Sequence, residues 1–331
     1  MNYIGSKHKL KQFIKAEIEK VVGEMKDKVF CDLFAGTGAI GRSFKTESKK
    51  IIANDIEFYS YVLNQNYIGN HEEIEWRELI DELENLEGVE GFIYKNYCLG
   101  SGSNRQYFSD ENGKKIDAVR QKIEEWKNAK RTNGNQYYFL LTSLLENADA
   151  VANTASVYGA YLKQLKKSAQ KTLTLKPAFF DLNEATHEVF NEDANLLIGK
   201  IEGDVLYLDP PYNARQYGAN YHLLNTIARY DNFTPNGKTG LRNYERSLYC
   251  QTRQVANVFE NLIKNADFKY IFLSYNNEGL MNKSEVEKLM KKYGRYNLAT
   301  TEYQRFKADK TENRNHKATE TVEYLHILEK F

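Results

Sequence analysis

Short apolar runs recur along this 331-residue chain and alternate with segments of helical pattern. Runs of this length predict buried strands at 28–34, 51–55, 204–209 and 269–274, followed by two more at 298–306 and 322–328. Strands that alternate with helices form a parallel sheet with helices on both faces. We therefore expect an α/β fold whose core is such a sheet.

The pattern changes between residues 91 and 186. Strand signals are weak there, glycine and polar residues cluster at 100–104, and a helix is predicted near 137–150. We interpret this segment as a mostly helical insertion. The expected organisation has 1–90 and 187–331 as the two parts of the α/β domain, with 91–186 as an inserted domain.

Composition excludes several classes of protein. With 46 basic and 45 acidic side chains the net charge is +1, so the chain as a whole is not a polycation. Cys31, Cys98 and Cys250 stand singly, which excludes a disulfide scaffold and a paired-cysteine zinc site, and we expect no metal. No apolar run reaches the roughly 20 residues that cross a bilayer, and residues 1–7 do not resemble a signal peptide. We therefore expect a cytoplasmic protein with no membrane association.

The charges are nevertheless sorted along the sequence. Acids dominate 71–90, whereas 150–180 contains no acid and carries five lysines: Lys163, Lys166, Lys167, Lys171 and Lys176. Sorting of this kind can create a basic face on a neutral protein. The alternative is that both segments are ordinary solvated surface.

A glycine turn follows the first predicted strand, in the sequence Asp-Leu-Phe-Ala-Gly-Thr-Gly at 32–38. Small residues after a strand let the backbone approach a ligand closely, and the next helix points its positive end at that ligand. Asp55 lies at the end of the next strand, where a carboxylate can accept the ribose hydroxyls of a nucleoside-like cofactor. The alternatives are a turn that serves packing only and an aspartate that caps a helix.

A second pattern is Asp209-Pro210-Pro211-Tyr212, which holds two of the four prolines in the chain. Consecutive prolines remove backbone donors and leave carbonyl oxygens as acceptors, and an ionised aspartate also only accepts hydrogen bonds. Acceptors beside an aromatic ring suit a planar group that carries an NH₂. The alternative is a rigid strand-to-loop turn with a surface tyrosine.

These elements together resemble the Dam-like, alpha-class adenine-specific DNA methyltransferases, many of which belong to restriction–modification systems. The resemblance rests on five segments in the family's order, at 3–7, 32–38, 54–55, 209–212 and 274–279. It implies a Rossmann-like class I methyltransferase sheet with a carboxyl-terminal antiparallel hairpin. It also implies that the mostly helical insertion at 91–186 is a target-recognition domain.

The resemblance implies S-adenosylmethionine as cofactor, with contacts from Tyr3, Lys7, Asp32, Gly36, Gly38, Asp55 and Asp193. Tyr3 and Lys7 would contact the methionine end, where a lysine pairs naturally with a carboxylate. Asp55 would hold the ribose. Asp193 would lie near the cofactor's adenine, although Ala194 stands where some relatives have an aromatic residue. Without the resemblance, Lys7 would be interpreted as one more solvated lysine.

Asp209, Pro210 and Tyr212 are the expected catalytic residues. Asp209 and the Pro210 carbonyl would accept the hydrogens of the adenine amino group, and Tyr212 would stack on a base flipped out of the duplex, with direct in-line methyl transfer. One alternative keeps the reaction and changes the acceptor to cytosine, an RNA base or a glutamine amide. Another is a non-catalytic DNA-recognition subunit.

Duplex DNA is the expected partner, with a separate cognate endonuclease and a monomer or weak dimer as further expectations. Phosphate contacts are predicted for Lys163, Lys166, Lys167, Arg215, Arg305 and Lys307. Each of these clusters could instead be solvated surface. Candidates for contacts to base edges are Asn104, Arg105, Gln106 and Asn153, among which the sequence does not choose.

Overall fold

The computed structural model describes residues 7–303 and 321–331. Its strands are β1 (Val29–Asp32), β2 (Lys50–Asn54), β3 (Glu188–Phe190), β4 (Glu202–Leu208), β5 (Asp267–Asn276), β6 (Gly294–Tyr303) and β7 (Thr321–Lys330). The α-helices are α1 (Lys11–Val22), α2 (Gly41–Phe44), α3 (Phe58–Asn64), α4 (Arg77–Glu84), α5 (Phe92–Tyr97), α6 (Asp110–Asn128), α7 (Gly134–Val151), α8 (Ala194–Leu197), α9 (Tyr217–Asn220), α10 (His222–Arg229), α11 (Val255–Asn265) and α12 (Lys283–Met290). Short 3₁₀ turns span Lys7–Lys9, Leu99–Ser101, Ile198–Lys200 and Leu248–Cys250, and a π-helical stretch covers Gln65–Gly69.

The strands of the described residues form one seven-stranded sheet in the order β3-β2-β1-β4-β5-β7-β6. The first five strands in that order are parallel, whereas β7 runs antiparallel to both β5 and β6. This confirms the expected Rossmann-like methyltransferase sheet and its carboxyl-terminal antiparallel hairpin. All six predicted strands form within the described residues; residues 304–306, the end of the strand predicted at 298–306, lie outside them. The sequence does not predict β3, because a strand of three residues carries too little pattern.

The chain divides into two compact units. The sheet unit comprises Lys7–Ile56, Ala185–Gln216 and Arg246–Phe331. Its core joins buried residues of β4 and β5, such as Leu206 and Ile271, to Phe259 of α11 and Val286 of α12. Phe30 of β1 stacks on Phe44 of α2 with ring centroids 4.5 Å apart.

The helical unit is described over Glu57–Glu184 and Tyr217–Glu245. It is mostly helical, and besides residues 91–184 it includes residues 57–90 and a second segment at 217–245. The physical reason is a shared core: Val62 of α3 and Leu223 of α10 are buried in the same apolar cluster as Leu140 and Leu144 of α7.

The helix predicted near 137–150 is α7. Its first turn is closed by a capping box, in which the Asn133 side chain accepts from the Gln136 N–H and the Gln136 side chain accepts from the Asn133 N–H. Trp126 of α6 and Trp76 pack in or against the core of the helical unit. Over the described part of the chain, no helix combines the length and apolarity needed to span a bilayer.

Candidate functional site

The glycine turn after β1 adopts the backbone conformation that its composition predicts. Gly36 and Gly38 have φ values of +52° and +75°, in the left-handed region that favours glycine. The Gly38 N–H donates to the Ala35 carbonyl at 2.7 Å, and the Ala35 N–H donates to the carbonyl of Asn54 at 2.9 Å. The turn is therefore tight and is tied to the end of β2.

Asp55, the acid predicted to hold the ribose of the cofactor, contacts this turn. The Gly36 N–H donates to Oδ2 of Asp55 at 2.8 Å. Asn54 fixes the strand ends around them, because its Nδ2 donates to the carbonyls of Leu33 and Glu192, each at 3.1 Å. Sequence reasoning assigned Asn54 no role of its own, although a buried asparagine at a strand end is typical of such a brace.

Asp32 ends β1 with its side chain buried. Its Oδ2 accepts from the Gly41 N–H at 2.9 Å, and its Oδ1 has no hydrogen-bond partner among residues 7–303 and 321–331. Burial raises the pKa of Asp32 to about 7; the Gly41 hydrogen bond opposes this rise, whereas the carboxylates of Asp209 and Asp55 add to it. A buried carboxylate oxygen of this kind suits a cationic ligand group.

Asp209 follows β4, the strand that pairs in parallel with β1 on the side opposite β2. The carboxyl ends of parallel strands share one edge of the sheet, so Asp209 lies at the same edge as Asp32 and the glycine turn. Its side chain is 17% exposed, and its Oδ1 lies 3.1 Å from Nζ of Lys7. Burial raises the pKa of Asp209 to about 6, while Lys7 lowers it and Glu323 raises it further.

Lys7 is buried, and its ammonium lies between two carboxylates. Besides Asp209, it donates to Oε1 of Glu323 at 2.8 Å. Burial by itself would lower the pKa of Lys7, but the attraction of Asp209 and Glu323 outweighs burial and raises the pKa well above its ordinary value. Two carboxylates of the protein therefore compensate the charge of this lysine, which the sequence predicts to contact the methionine end of the cofactor.

Glu323 is the residue of this site that sequence reasoning missed. It lies on β7 in a segment of ordinary strand pattern, 316 positions from Lys7. Its side chain is only 7% exposed, but nothing in the neighbouring sequence distinguishes it from a glutamate on the protein surface. Only the pairing of β7 with β5 brings it to this edge of the sheet.

Tyr212 presents a supported aromatic ring. Nζ of Lys7 lies 5.5 Å from its ring centroid, and Tyr275 packs against it edge-on at 6.1 Å between centroids. The Tyr212 carbonyl accepts from the Leu280 N–H at 2.9 Å. Pro210 is buried. The segment at 274–279, which the sequence singled out without a role, therefore supports the tetrapeptide.

Asp193 has a structural role in the sheet unit. Its Oδ1 accepts from the N–H groups of Asn195 and Leu196 at 2.9 and 3.1 Å, which caps α8. Its side chain is otherwise exposed. Three predicted site residues, Tyr3, Arg305 and Lys307, lie outside the described residues.

Some of the side chains predicted to contact DNA are exposed, and one is already hydrogen-bonded within the protein. Lys163 and Lys167 are exposed in the helical unit, and Arg215 is exposed in the sheet unit on the loop after Tyr212. Lys166 is half-buried, and its Nζ donates to the Thr154 carbonyl at 2.7 Å. Its ammonium therefore holds a loop, so it is less available for phosphate than its two neighbours.

Three of the four candidates for base contacts serve the helical unit itself. Asn153 is fully buried, and its Nδ2 donates to the carbonyls of Gln106 and Leu162. Gln106 is also buried and donates to the Leu162 carbonyl. Arg105 donates to the carbonyls of Asn96 and Gly237, each at 3.1 Å. Hydrogen bonds already made to the backbone leave these side chains poorly suited to contact bases.

Comparison with known proteins identifies the family. A model of the D12 class N6 adenine-specific DNA methyltransferases matches residues 3–289. The chain is 66% identical to the type II methyltransferase M.NlaIII of Neisseria lactamica, over 100% of this chain and 99% of that protein. It is 39% identical to M.CviAII of Paramecium bursaria Chlorella virus 1 over 93% of each chain. It is also 39% identical to M.FokI of Planomicrobium okeanokoites, of which it spans 53%.

Enzymes of this class take their methyl group from S-adenosylmethionine. The glycine turn, the acid that it contacts and the Asp-Pro-Pro-Tyr segment all lie within the matched residues. This chain belongs to the D12 class of N6 adenine-specific DNA methyltransferases.

Proposed function

We propose that Asp209, Pro210 and Tyr212 form the transfer site of this methyltransferase and act on the N6 amino group of an adenine flipped out of a specific site in duplex DNA. The observation that carries this proposal is the largely buried carboxylate of Asp209, held by Lys7 at the same sheet edge as Asp32 and the glycine turn. This edge lies where the sheet order changes direction, between β1 and β4, which is where parallel α/β sheets bind their ligands.

The residues around the glycine turn fit S-adenosylmethionine. When bound, this cofactor supplies a methyl group on a positively charged sulfur. Oδ1 of Asp32, buried and without a partner among the described residues, suits the ammonium group of the methionine end. Gly36 and Gly38 let the backbone come close, and Asp55 would accept from the ribose hydroxyls. Asp193 would contact the adenine end through the oxygen that does not cap α8.

The proposed chemistry needs acceptors rather than a strong base. The lone pair of the adenine amino nitrogen is delocalised into the ring, and donating both hydrogens, to Asp209 and to the Pro210 carbonyl, would localise it on nitrogen for in-line attack. The nitrogen gives up one proton as its new bond to carbon forms. A carboxyl whose pKa is raised to about 6 accepts a proton more readily than an exposed aspartate.

Tyr212 would stabilise the flipped base. Stacking of a base on an aromatic ring contributes about 1–3 kcal/mol, which offsets part of the cost of taking the base out of the duplex. The edge-on contact with Tyr275 and the hydrogen bond from Leu280 would hold the ring in one orientation.

The helical unit is the proposed target-recognition domain, and duplex DNA is its partner. Lys163 and Lys167 would contact phosphates, with Arg215 doing the same from the loop beside the tetrapeptide. Lys166, Arg305 and Lys307 remain predicted contacts. We further propose a separate cognate endonuclease, a monomer or weak dimer, and a cytoplasmic location, where the DNA of a bacterial cell is accessible.

The alternative acceptors and the non-catalytic subunit are not favoured, because the matching family is specific for adenine N6 and the relatives are named methyltransferases. Intact acceptors at 209 and 210 also argue against a silent subunit.

Substitution of Asp209 tests the proposal. Asp209→Ala should lower methyl transfer to duplex DNA by roughly ten- to more than a hundredfold, since a charge-assisted hydrogen bond contributes about 1.5–3 kcal/mol. Transfer is measured with labelled S-adenosylmethionine, the product by nucleoside analysis of digested DNA, and cofactor affinity by calorimetry. Affinity for the cofactor should change little.

Asp204→Asn is the matched control, because Asp204 lies on β4 and accepts from the Val29 N–H at 2.8 Å, which an asparagine oxygen can also do. Wild-type turnover by Asp209→Ala would refute the assignment of the transfer site.

A further inference from the structure

Glu323 is a buried acid that the proposed transfer chemistry does not use. Its residue exposure is 5%, and glutamates are almost never buried to this extent unless they are paired. Its partner is the ammonium of Lys7, at 2.8 Å from Oε1. The same ammonium lies 3.1 Å from Oδ1 of Asp209. One lysine therefore links Glu323 to the proposed catalytic carboxylate.

The antiparallel strand β7 brings Glu323 to this position. Glu323 pairs with Asn276 at the carboxyl end of β5, and the Asn277 N–H donates to the carbonyl of Val322 at 3.2 Å. Since β5 also pairs in parallel with β4, with Leu273 opposite Leu208, Glu323 and Asp209 reach the same sheet edge from two strands that flank β5. The rigid ladder fixes both carboxylates relative to each other.

We propose that Glu323 is a positioning residue for Asp209, acting through Lys7: it anchors the lysine ammonium and shares its charge, so that Asp209 is held in place and stays a strong acceptor for the adenine amino group. The proposal rests on the role of Asp209 proposed above. An ammonium bound to one carboxylate would neutralise it and weaken it as an acceptor, whereas an ammonium shared by two carboxylates leaves negative charge on both.

The energetics of burial support this division of roles. Two buried carboxylates and one buried ammonium carry a net charge of −1, and buried charge is costly unless each group is paired. If Lys7 had only a structural role, Asp209 alone could compensate its charge. The burial of a second acid, Glu323, costs additional free energy that such a role does not require.

Electrostatics give the proposal a measurable signature. Within residues 7–303 and 321–331, the charged and titratable groups that interact with Asp209 include Lys7, Glu323, Asp32, Tyr207 and Tyr212. Among these, Glu323 raises the pKa of Asp209 and Lys7 lowers it. Asp209 must be ionised to accept the amino hydrogen, so activity should fall as the pH drops through its pKa. Removing the Glu323 charge should move this acid limb to lower pH.

The test is the pH profile of kcat/KM for Glu323→Gln, measured with duplex DNA and labelled cofactor. The acid limb should move to lower pH, and kcat on the plateau should fall by about tenfold, the effect of one weakened charge-assisted hydrogen bond. In a Lys7→Met background the same substitution should cause no further loss, because Glu323 acts through Lys7. An unmoved acid limb, or losses that multiply in the double variant, would overturn the proposal.

Control variants distinguish the role proposed for Glu323 from a general effect of substitution on β7, from misfolding and from failure of the transfer-site assignment. Glu329→Gln changes a glutamate on the same strand whose side chain is 40% exposed, and it should leave the profile as in the wild type. Should Glu323→Gln fail to fold by circular dichroism, Glu323→Asp keeps the charge and shortens the side chain. That variant should retain the acid limb and lose kcat, and an undiminished kcat would contradict the proposal. An Asp209→Ala enzyme that stays fully active would instead refute the transfer site itself.

Discussion

At the scale of single residues, the groups proposed to contact the substrate are different from the groups that hold those side chains in place. Asp209 and Tyr212 are proposed to contact the base. Lys7 pairs with the carboxylate of Asp209, and Tyr275 packs edge-on against the ring of Tyr212. Loss of an aromatic ring removes stacking energy, whereas loss of an acceptor removes a hydrogen bond, so substitutions can distinguish the two roles.

Tyr212 should act through its ring. We expect Tyr212→Phe to change transfer by only a few-fold and Tyr212→Ala to lower it by roughly five- to more than a hundredfold, the equivalent of about 1–3 kcal/mol of stacking energy. Steady-state kinetics with duplex DNA measure both, and melting curves show whether removal of the ring that packs on Tyr275 destabilises the alanine variant. Equal losses in the two variants would mean that the hydroxyl matters instead.

Residue identities in this site were predictable where a short local motif carries the chemistry. The glycine turn and Asp55 are an example: the sequence places both after neighbouring strands, and the structure adds the hydrogen bond between Gly36 and Asp55. The partner of Lys7 was not predictable, since a buried lysine and an exposed lysine look the same in a sequence. Its two carboxylates come from β4 and β7, which local patterns do not connect.

At the scale of elements, the carboxyl end of β5 and the turn that follows it support the tetrapeptide. Tyr275 is 1% exposed, and its hydroxyl accepts from the Met281 N–H at 3.3 Å, so the ring has little room to move. Gly279 closes the turn with a hydrogen bond to the Asn276 carbonyl at 3.1 Å. A Cβ atom at position 279 would overlap the Tyr275 ring.

We therefore expect Gly279→Ala to displace Tyr275 and, through it, Tyr212. Overpacking of this kind costs about 1–3 kcal/mol of stability. Methyl transfer should fall by more than cofactor binding does, because the cofactor residues belong to other turns. Gly199→Ala is the control, since a Cβ there meets no atom within 4 Å. Melting curves, calorimetry and transfer assays make the comparison, and wild-type transfer by Gly279→Ala would show that the turn does not support the site.

Apart from β3, the strands of the structure coincide with the apolar runs of the sequence, whereas its two compact units are each built from separate segments of the chain. Residues 57–90 and 217–245 look like parts of the α/β domain because they flank its motifs. Their buried side chains nevertheless pack with α7, and a core is defined by such contacts between distant segments rather than by sequence order.

At the scale of the whole molecule, a net charge of +1 hides a strong local sorting of charge. Affinity for duplex DNA comes largely from phosphate contacts, and each such contact makes binding weaker as salt increases. The exposed lysines of an acid-free segment are therefore the side chains whose removal should alter the salt dependence.

Lys163→Ala with Lys167→Ala should weaken duplex binding about equally for all sequences and reduce the slope of log affinity against log salt by about 0.9 for each phosphate that the protein no longer neutralises. Lys166→Ala should instead lower the melting temperature, because its ammonium holds the Thr154 carbonyl. Lys26→Ala with Lys49→Ala removes two exposed lysines of the sheet unit and serves as the control. Fluorescence anisotropy over a salt series provides the slopes, and an unchanged slope would exclude Lys163 and Lys167 from the DNA surface.

The sequence by itself determined the strands of the parallel sheet, the glycine turn and the family, and it carries the motif from which the acceptors at 209 and 210 are proposed, because each depends on residues close together in the chain. The tertiary structure decided where buried charge is compensated and which segments share a core. Lys7, Asp209 and Glu323 lie on three separate parts of the chain, and only the packed sheet brings them within hydrogen-bonding distance. Burial and pairing of charge are properties of that packing, since the same side chains would be solvated in an unfolded chain.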